Sequence, residues 1–585
     1  MEMVNVTIDG HKVTVPKNYT ILEAAQEAGI DIPTLCYLKE INKIGACRVC
    51  LVEIKGGRAL QASCVYPVSE GLEVYTNTPA VREARKAVVE LLISNHPQDC
   101  LKCTRSQNCE LQALAKKLGI NDIRFKGEIS TFKPDNSSKS LERNPDKCVL
   151  CRRCVAVCNQ VQGVSILSAM NRGFGSIVAP AFEHPLDSVN CTLCGQCINV
   201  CPVEAIKEKD HIEKVWNALG NPEKHVVVQT APAVRAVLGE EFGLPIGTSV
   251  TGKMVAALRR LGFNKVFDTD FTADLTILEE GNELLQRLNN GGKLPLITSC
   301  SPGWIKYCEH HYPEQLDNLS SCKSPQQMFG ALAKTYYPQI EDSDPGQIFS
   351  VSVMPCTAKK FEADRPEMND SGFQDVDAVL TVRELARMIK QAGIDFINLP
   401  DEEFDLPMGM SSGAGLIFGA TGGVMEAALR TVYEVVTGET LPKLDFEEVR
   451  GLAGIKEASV NLKGTEVKVA VAHGLANAKK IMEKVKDGSA DYHFIEIMAC
   501  PGGCIGGGGT PIVSALERTK LAKDYRDLRI KAIYSEDAQQ KIRKSHENPA
   551  VKKLYKDYLG EPLGEKSHHL LHTHYTKRLK YPKCE

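Results

Sequence analysis

All but three of the twenty-two cysteines (Cys308, Cys322 and Cys584 are the exceptions) fall into clusters spaced like metal ligands. Two runs, Cys148, Cys151, Cys154, Cys158 and Cys191, Cys194, Cys197, Cys201, each place a sulfur at every third residue and a fourth sulfur four residues on. That is the spacing with which a loop wraps an iron–sulfide cubane, and in paired cubane domains the last cysteine of each run crosses to the other cluster. One [4Fe-4S] cluster is therefore expected on Cys148, Cys151, Cys154 and Cys201, and a second on Cys191, Cys194, Cys197 and Cys158. Zinc fits less well, because closed zinc sites prefer pairs of Cys-x-x-Cys arms. Disulfides fit poorly too. Met1 leads into the alternating run Val4-Asn5-Val6-Thr7-Ile8 with neither a basic nor an apolar leader region, so the expected compartment is the reducing cytoplasm.

Three further constellations carry metal chemistry. Cys36, Cys47, Cys50 and Cys64 supply the four thiolates that two irons need. His96 stands four residues before Cys100, with Cys103 and Cys109 beyond, and its imidazole is the simplest fourth partner for three local thiolates. A neutral nitrogen in place of a thiolate makes a cluster less negative and shifts its potential. The last constellation is split over three loops: Thr298-Ser299-Cys300-Ser301-Pro302-Gly303-Trp304, Met354-Pro355-Cys356, and Met498-Ala499-Cys500-Pro501-Gly502-Gly503-Cys504.

The elements that position these residues follow from pattern. Two short strands joined at Asp9-Gly10 make a hairpin, and Thr20 opens a helix. Val81 to Ser94 reads as an amphipathic helix with Val81, Ala84, Val88, Leu91 and Leu92 on its apolar stripe. The polar stretch from Lys133 to Ser140 reads as a linker. The repeated cubane run predicts a pseudo-twofold domain of two short hairpins and two short helices. After Pro222, apolar runs alternate with amphipathic stretches, the signature of layered α/β domains, whose chemistry collects in the loops after strand ends. Cys300, Cys356 and Cys500 each follow such a run, at Ile297, Val353 and Ile497. The expected fold class is thus a multidomain α+β and α/β chain: a [2Fe-2S] domain at 1–80, a histidine-ligated [4Fe-4S] domain at 81–122, a linker at 123–140, a two-cluster ferredoxin domain at 141–210 and an α/β domain at 222–585.

At 585 residues the chain exceeds a single core. A net charge of -3 leaves no charged block for nucleic acid or a lipid surface, and no apolar stretch reaches bilayer length. The Gly-rich segment after Cys504 lacks the Lys-Ser or Lys-Thr of a phosphate-binding loop. No Gly-x-Gly-x-x-Gly opens a strand-turn-helix unit, so nicotinamide and flavin are expected on another subunit.

The first domain resembles, on Cys36, Cys47, Cys50 and Cys64, the β-grasp [2Fe-2S] ferredoxin-type domain at the start of complex I subunits and large hydrogenases. The His96 set resembles their cluster with one histidine and three cysteine ligands. The three late loops resemble the signature loops of [FeFe] hydrogenases, and the resemblance covers essentially the whole chain. It implies an H-cluster, a [4Fe-4S] cubane joined through a shared cysteine to a diiron unit with CO, CN and a bridging dithiolate. It further implies cubane ligation by Cys356, Cys500 and the bridging Cys504, a Lys359 ammonium paired with a cyanide, and Met354 and Met498 lining the pocket. The cofactors implied are one [2Fe-2S], three accessory [4Fe-4S] clusters and the H-cluster. H2 and protons are the implied substrates. The implied partners are a flavoprotein binding NADP(H) or NAD(H) and small [2Fe-2S] subunits in a hetero-oligomer, or a ferredoxin. The competing readings are a non-catalytic electron-wiring subunit of a complex I-like or formate dehydrogenase assembly, for which Cys356, Cys500 and Cys504 have no use, and a hydrogenase-like H2 sensor.

The family's proton relay matches Cys300, Glu280, Ser320, Glu283 and Arg287. Glu280, Glu283 and Arg287 also lie on one helix face, which periodicity alone would read as a solvated, salt-bridged surface. One position departs from the pattern: the loop usually reads Thr-Ser-Cys-Cys-Pro, and Ser301 replaces the second cysteine, the fourth cubane ligand. Three readings follow: ligation by Cys300, ligation by the Ser301 oxygen, or a cubane held by three cysteines. Hydroxyl oxygen is a harder and less acidic donor than a thiol, and neighbouring side chains in an extended loop point apart. Cys300 is accordingly expected to be the proton-carrying thiol.

Overall fold

A computed structural model describes residues 2–462 and 464–580. At the N-terminus the strands Met3–Ile8 and His11–Pro16 form the expected antiparallel hairpin. Alternation turns Val4, Val6 and Ile8 into the core. The helix Ile21–Glu27 starts at a reciprocal cap, in which the Thr20 hydroxyl accepts the Glu23 N–H and the Glu23 carboxylate accepts the Thr20 N–H. Leu72–Tyr75 runs parallel to the first strand, and Leu51–Ile54 and Gln61–Ala62 complete a five-stranded β-grasp sheet.

Two expectations for the next segments need correction. The helix Pro79–Ser94 forms behind a Thr78 cap, but it buries Val81, Arg85, Val89 and Glu90, while Leu91 is 51% exposed. Polar partners turn it: the Arg85 guanidinium donates to the Leu51 carbonyl at 3.0 and 2.7 Å, and Glu90 accepts from Arg124 at 2.7 Å. The stretch from Lys133 to Ser140 is no loose linker. Asp135 pairs backbone-to-backbone with Arg143, its carboxylate accepts the Ser137 and Leu186 N–H groups, and Ser138 and Ser140 are buried.

The two-cluster domain has one local hairpin, Ser168–Met170 with Ile177–Ala179, rather than two. Its other strand pair joins the domain's ends, Leu141–Arg143 against Ile206–Glu208. There is one α-helical turn, Arg153–Ala156, running into a wider π turn, and its counterpart after Cys197 is the 3-10 turn Ile198–Val200 rather than a second helix. Pairing first strand with last brings Cys201 back to the first run.

The C-terminal portion holds two four-stranded sheets. One is all parallel, in the order Lys265–Asp268, His225–Thr230, Ile348–Met354, Ala378–Thr381. The other runs Leu296–Ile297, Phe494–Met498, Thr465–His473, Ile455–Leu462, antiparallel only at its last pair. At their centres His225–Thr230, Ile348–Met354 and Phe494–Met498 are buried on both faces, as sheets covered by helices require, with Gln229, Ser350, Ser352 and Glu496 among the polar exceptions to their apolar run. The long helix Asp270–Asn290 packs against Pro325–Glu341 and Gly423–Thr437. Among the described residues no helix is long and apolar enough to cross a membrane.

Candidate active site

The accessory thiols gather as their spacing suggests. Cys36 lies within hydrogen-bond reach of Cys47 and Cys64, and Cys50 within reach of Cys64. His96, Cys100, Cys103 and Cys109 line one cavity past the end of the helix Pro79–Ser94. Burial, reinforced by the charge of Lys147, holds His96 below the ordinary histidine range and so in the neutral form that can ligate. Cys148, Cys151, Cys154 and Cys201 share a second cavity, and Cys158, Cys191, Cys194 and Cys197 a third, so the last cysteine of each run does stand with the other run.

The three late loops meet in one cavity of about 80 Å³, reached by strand ends from both sheets. Cys356, Cys500 and Cys504 face it, with Met354 and Met498 alongside. This donor set fits an iron–sulfide cluster: three soft thiols line one cavity, and burial first, then Cys356, Cys194 and Cys504, disfavour ionisation of Cys500. Glycine lets the backbone close on it. At Gly503, with φ +93°, a Cβ would meet the Thr421 nitrogen at 2.6 Å.

Cys300 and Ser301 part as neighbours on an extended backbone. Ser301, at φ −103° and ψ 99°, sends its hydroxyl oxygen to accept the Ala499 N–H at 3.2 Å, beside Cys500. Cys300 shares the cavity with Cys504 and Lys359, and Glu280 is the titratable side chain that acts on it most strongly. Burial, above all, holds the Cys300 thiol protonated.

Glu280, Ser320, Glu283 and Arg287, expected as relay residues, come together, and the reading of their helix face as solvated is overturned. Glu280 is 3% and Glu283 6% exposed, because the 319–322 loop and the chain's C-terminal segment cover that face. Glu280 is hydrogen-bonded to Ser320, and burial pushes its carboxyl up to about 8. Ser320 donates to Glu283 at 3.0 Å, and Arg287 donates to Glu283 at 2.6 Å. A carboxyl poised near neutral pH is what a proton-transfer group needs.

Comparison with known proteins now decides the lineage. The chain is 53% identical over 590 residues to the NADP-reducing hydrogenase subunit HndD of Solidesulfovibrio fructosivorans, covering 99% of this chain and 100% of that one. The chain belongs to the iron-only hydrogenase family. Iron hydrogenase 1 of Clostridium pasteurianum is 45% identical over 98% of this chain and all of its own. Residues 224–508 match the C-terminal domain of the iron-only hydrogenase large subunit, and residues 523–578 match the iron hydrogenase small subunit. The N-terminal matches are a 2Fe-2S cluster binding domain at 1–79, the NADH-ubiquinone oxidoreductase-G iron-sulfur binding region at 85–124, and the ferredoxin-like domain of NADH-quinone oxidoreductase subunit 3 at 138–207. A solved apo [FeFe]-hydrogenase HydA1 from Chlamydomonas reinhardtii superposes with a TM-score of 0.56 at 44% identity, covering 63% of this chain and 99% of its own.

Several residues around the hydrogenase cavity carry no signal that sequence reasoning used. Lys359 donates to Glu362 at 2.8 Å and to the Cys300 carbonyl at 3.2 Å, and Glu362 is held by Ser324 and Gln326 at 2.8 and 3.1 Å. The i, i+3 spacing of Lys359 and Glu362 could have flagged that pair. Nothing flagged Gln196, which reaches over from the ferredoxin domain to donate to the Gly506 carbonyl at 2.8 Å and lies within hydrogen-bond reach of Cys500. At the same junction a Cβ on Gly508 would meet the Cys194 carbonyl at 2.3 Å. The glycines there let two cysteine-bearing loops touch.

Proposed function

We propose that this chain is the catalytic subunit of a hydrogenase complex, interconverting H2 with two protons and two electrons. The proposal assigns a [2Fe-2S] cluster to Cys36, Cys47, Cys50 and Cys64. It assigns [4Fe-4S] clusters to His96 with Cys100, Cys103 and Cys109, and to the two crossed cysteine sets. Cys356, Cys500 and Cys504 would hold the H-cluster, with the Ser301 hydroxyl beside them as the further candidate donor. When bound, the H-cluster supplies the iron at which H–H bond making and breaking occurs. The chain's own residues do the rest. Met354 and Met498 shape the pocket, and Lys359 presents an ammonium held in place by Glu362. Cys300 holds a proton at its sulfur, and Glu280, Ser320 and Glu283 carry protons between it and the region of Arg287. The Cys194 loop, touching Gly508, is the electron contact.

The observation that carries this reading is the convergence of Cys356, Cys500 and Cys504 on one cavity flanked on one side by a cluster loop and on the other by buried carboxyls. The relative named as an NADP-reducing hydrogenase subunit supports a multisubunit assembly; in this reading a flavoprotein partner binds NADP(H), and small [2Fe-2S] subunits are further partners. The test is partner dependence. The isolated, cluster-loaded chain should evolve H2 from an artificial electron donor and should not oxidise NADPH until a flavoprotein subunit is added. Tight NADP binding by the chain alone would overturn the division of labour, and no H2 from any donor would overturn the catalytic assignment.

A further inference from the structure

The relay described above ends on a group that does not release a proton. A guanidinium stays protonated in proteins. Both terminal nitrogens of Arg287 are also engaged, donating to the Lys293 and Asp317 carbonyls at 3.0 Å each and to Glu283 and the Leu319 carbonyl at 2.6 and 2.9 Å. Glu283 has a second neighbour. The Ser321 hydroxyl donates to it at 3.2 Å, and the same oxygen lies 2.8 Å from Nδ1 of His572. Across the ring, Nε2 lies 3.1 Å from the Glu279 carboxylate, which also accepts from the Tyr555 hydroxyl at 2.5 Å and the Leu563 N–H at 2.9 Å.

This arm is fixed in register. The Thr573 N–H donates to the Ser321 carbonyl at 2.7 Å and the Lys323 N–H to the Leu571 carbonyl at 2.8 Å, tying the tail to the 321–323 loop. The tail belongs to the segment that matches the iron hydrogenase small subunit, so the second arm and the relay helix come from different parts of the chain. His572 is buried. The exposed His568 ring stacks on it at 4.7 Å between centroids and 7° between planes, placing a second imidazole at the surface. The other titratable groups facing this pocket are Glu279, Glu283, the Cys322 thiol and the Tyr555 phenol. Lys323 is paired with Asp370 and Asp375, and Arg287 with Glu283.

We propose, building on the relay reading above, that Glu283 is a branch point and that Ser321 and His572 form a proton-reservoir arm on it. With Nε2–H donated to Glu279, the neutral ring keeps Nδ1 as its base. A protonated Glu283 then gives its proton to the Ser321 oxygen as that hydroxyl passes its own proton to Nδ1. His572 becomes an imidazolium, with Glu279 balancing its charge much as a carboxylate supports a catalytic imidazole. Running the step backward reloads Glu283. One proton moves and no electron does, so His572 and Ser321 act through Glu283 as positioning and storage groups.

Turnover against pH in the cluster-loaded chain tests the arm, using Ser321→Ala, Ser321→Thr, His572→Gln and, as a control on the relay itself, Glu280→Gln. Ser321→Ala breaks the transfer but leaves the His572–Glu279 tether. It should lower H2 evolution roughly tenfold or more, less than the about 10² to 10⁴ of a lost proton-transfer group on the main relay, with unchanged melting temperature and accessory-cluster signals. Ser321→Thr, which keeps the hydroxyl, should restore turnover. His572→Gln should lose activity similarly and recover with added imidazole. If Glu280→Gln is inactive while Ser321→Ala and His572→Gln keep full turnover and the parent pH profile, the arm is wrong and the relay stands. A fully active Glu280→Gln would remove the relay reading on which the arm rests. Loss in Ser321→Ala that Ser321→Thr does not restore, or that tracks a lowered melting temperature, would mark Ser321 as structural and also overturn the arm. Should His572→Gln fail to fold, the Ser321 pair decides alone.

Discussion

On the side of this molecule proposed to carry electrons, most candidate ligands of each accessory site lie close together in sequence, as Cys148, Cys151 and Cys154 do, and the domain fold returns the last one. On the proton side, Glu280 and Glu283 come from one helix, Ser320 from a loop some forty residues on, Cys300 from a strand end and His572 from the far end of the chain. Cubane ligation needs donors at fixed short spacing, which local sequence encodes. Proton transfer needs only groups within hydrogen-bond reach, which any part of the chain can supply. The two sides should therefore fail in different ways.

The largest effects are expected on the proton side alone. Cys300→Ala or Glu280→Gln should cut turnover by about 10² to 10⁴ while accessory-cluster signals stay intact; full activity in both would show that protons travel elsewhere. The same carboxyl sets the pH response. Glu280 is raised to about 8, so it is protonated and able to donate below that pH. Above it, H2 evolution should fall, approaching about tenfold per pH unit as the protonated fraction shrinks, and a profile flat through pH 8 to 9 would contradict the assignment.

A smaller effect on the electron side should follow Gly508→Ala, which requires loops bearing Cys194 and Gly508 to part by roughly 1 Å to relieve the clash. Turnover with an electron donor should drop further than H2/D2O isotope exchange, which needs no net electrons, whereas Glu280→Gln should depress both. Equal losses in the two assays for Gly508→Ala would erase the distinction between the sides.

Smallest is the effect expected at Ser301, where the sides meet. Oxygen is a weak donor to iron in a sulfide cluster, so Ser301→Cys should slow iron loss from the cubane without altering the Cys300-dependent proton step. Bonding of the Cys300 sulfur to cubane iron, seen by spectroscopy, would contradict this and hand the first proton position to another group.

Much of this was legible beforehand. Cysteine spacing anticipated the crossed sets, and the strand-run endings at Ile297, Val353 and Ile497 placed the late loops at strand ends. What pattern could not show was burial imposed by distant chain. The Glu280 and Glu283 face looks solvated in any local window because its cover comes from residues around 320 and 572. The helix Pro79–Ser94 turned away from its apolar stripe because Arg85 and Glu90 found buried partners, at Leu51 and Arg124. The 133–140 stretch looked like a linker by composition, yet Asp135 and Ser137 bond into the ferredoxin domain at Arg143, Leu186 and Asp187. Two strand pairs were expected to be local hairpins, and one of them joins the domain's ends. In each case a long-range polar contact overrode a local preference.

The central claim is that the cavity of Cys356, Cys500 and Cys504 holds an H-cluster. An infrared spectrum of the anaerobically purified, matured chain tests it most directly, because iron-bound CO and CN absorb where protein does not. Sharp CO and CN bands that are lost in Cys504→Ala, with accessory-cluster signals retained, are the predicted result. A spectrum without such bands from protein carrying its full accessory iron would contradict it.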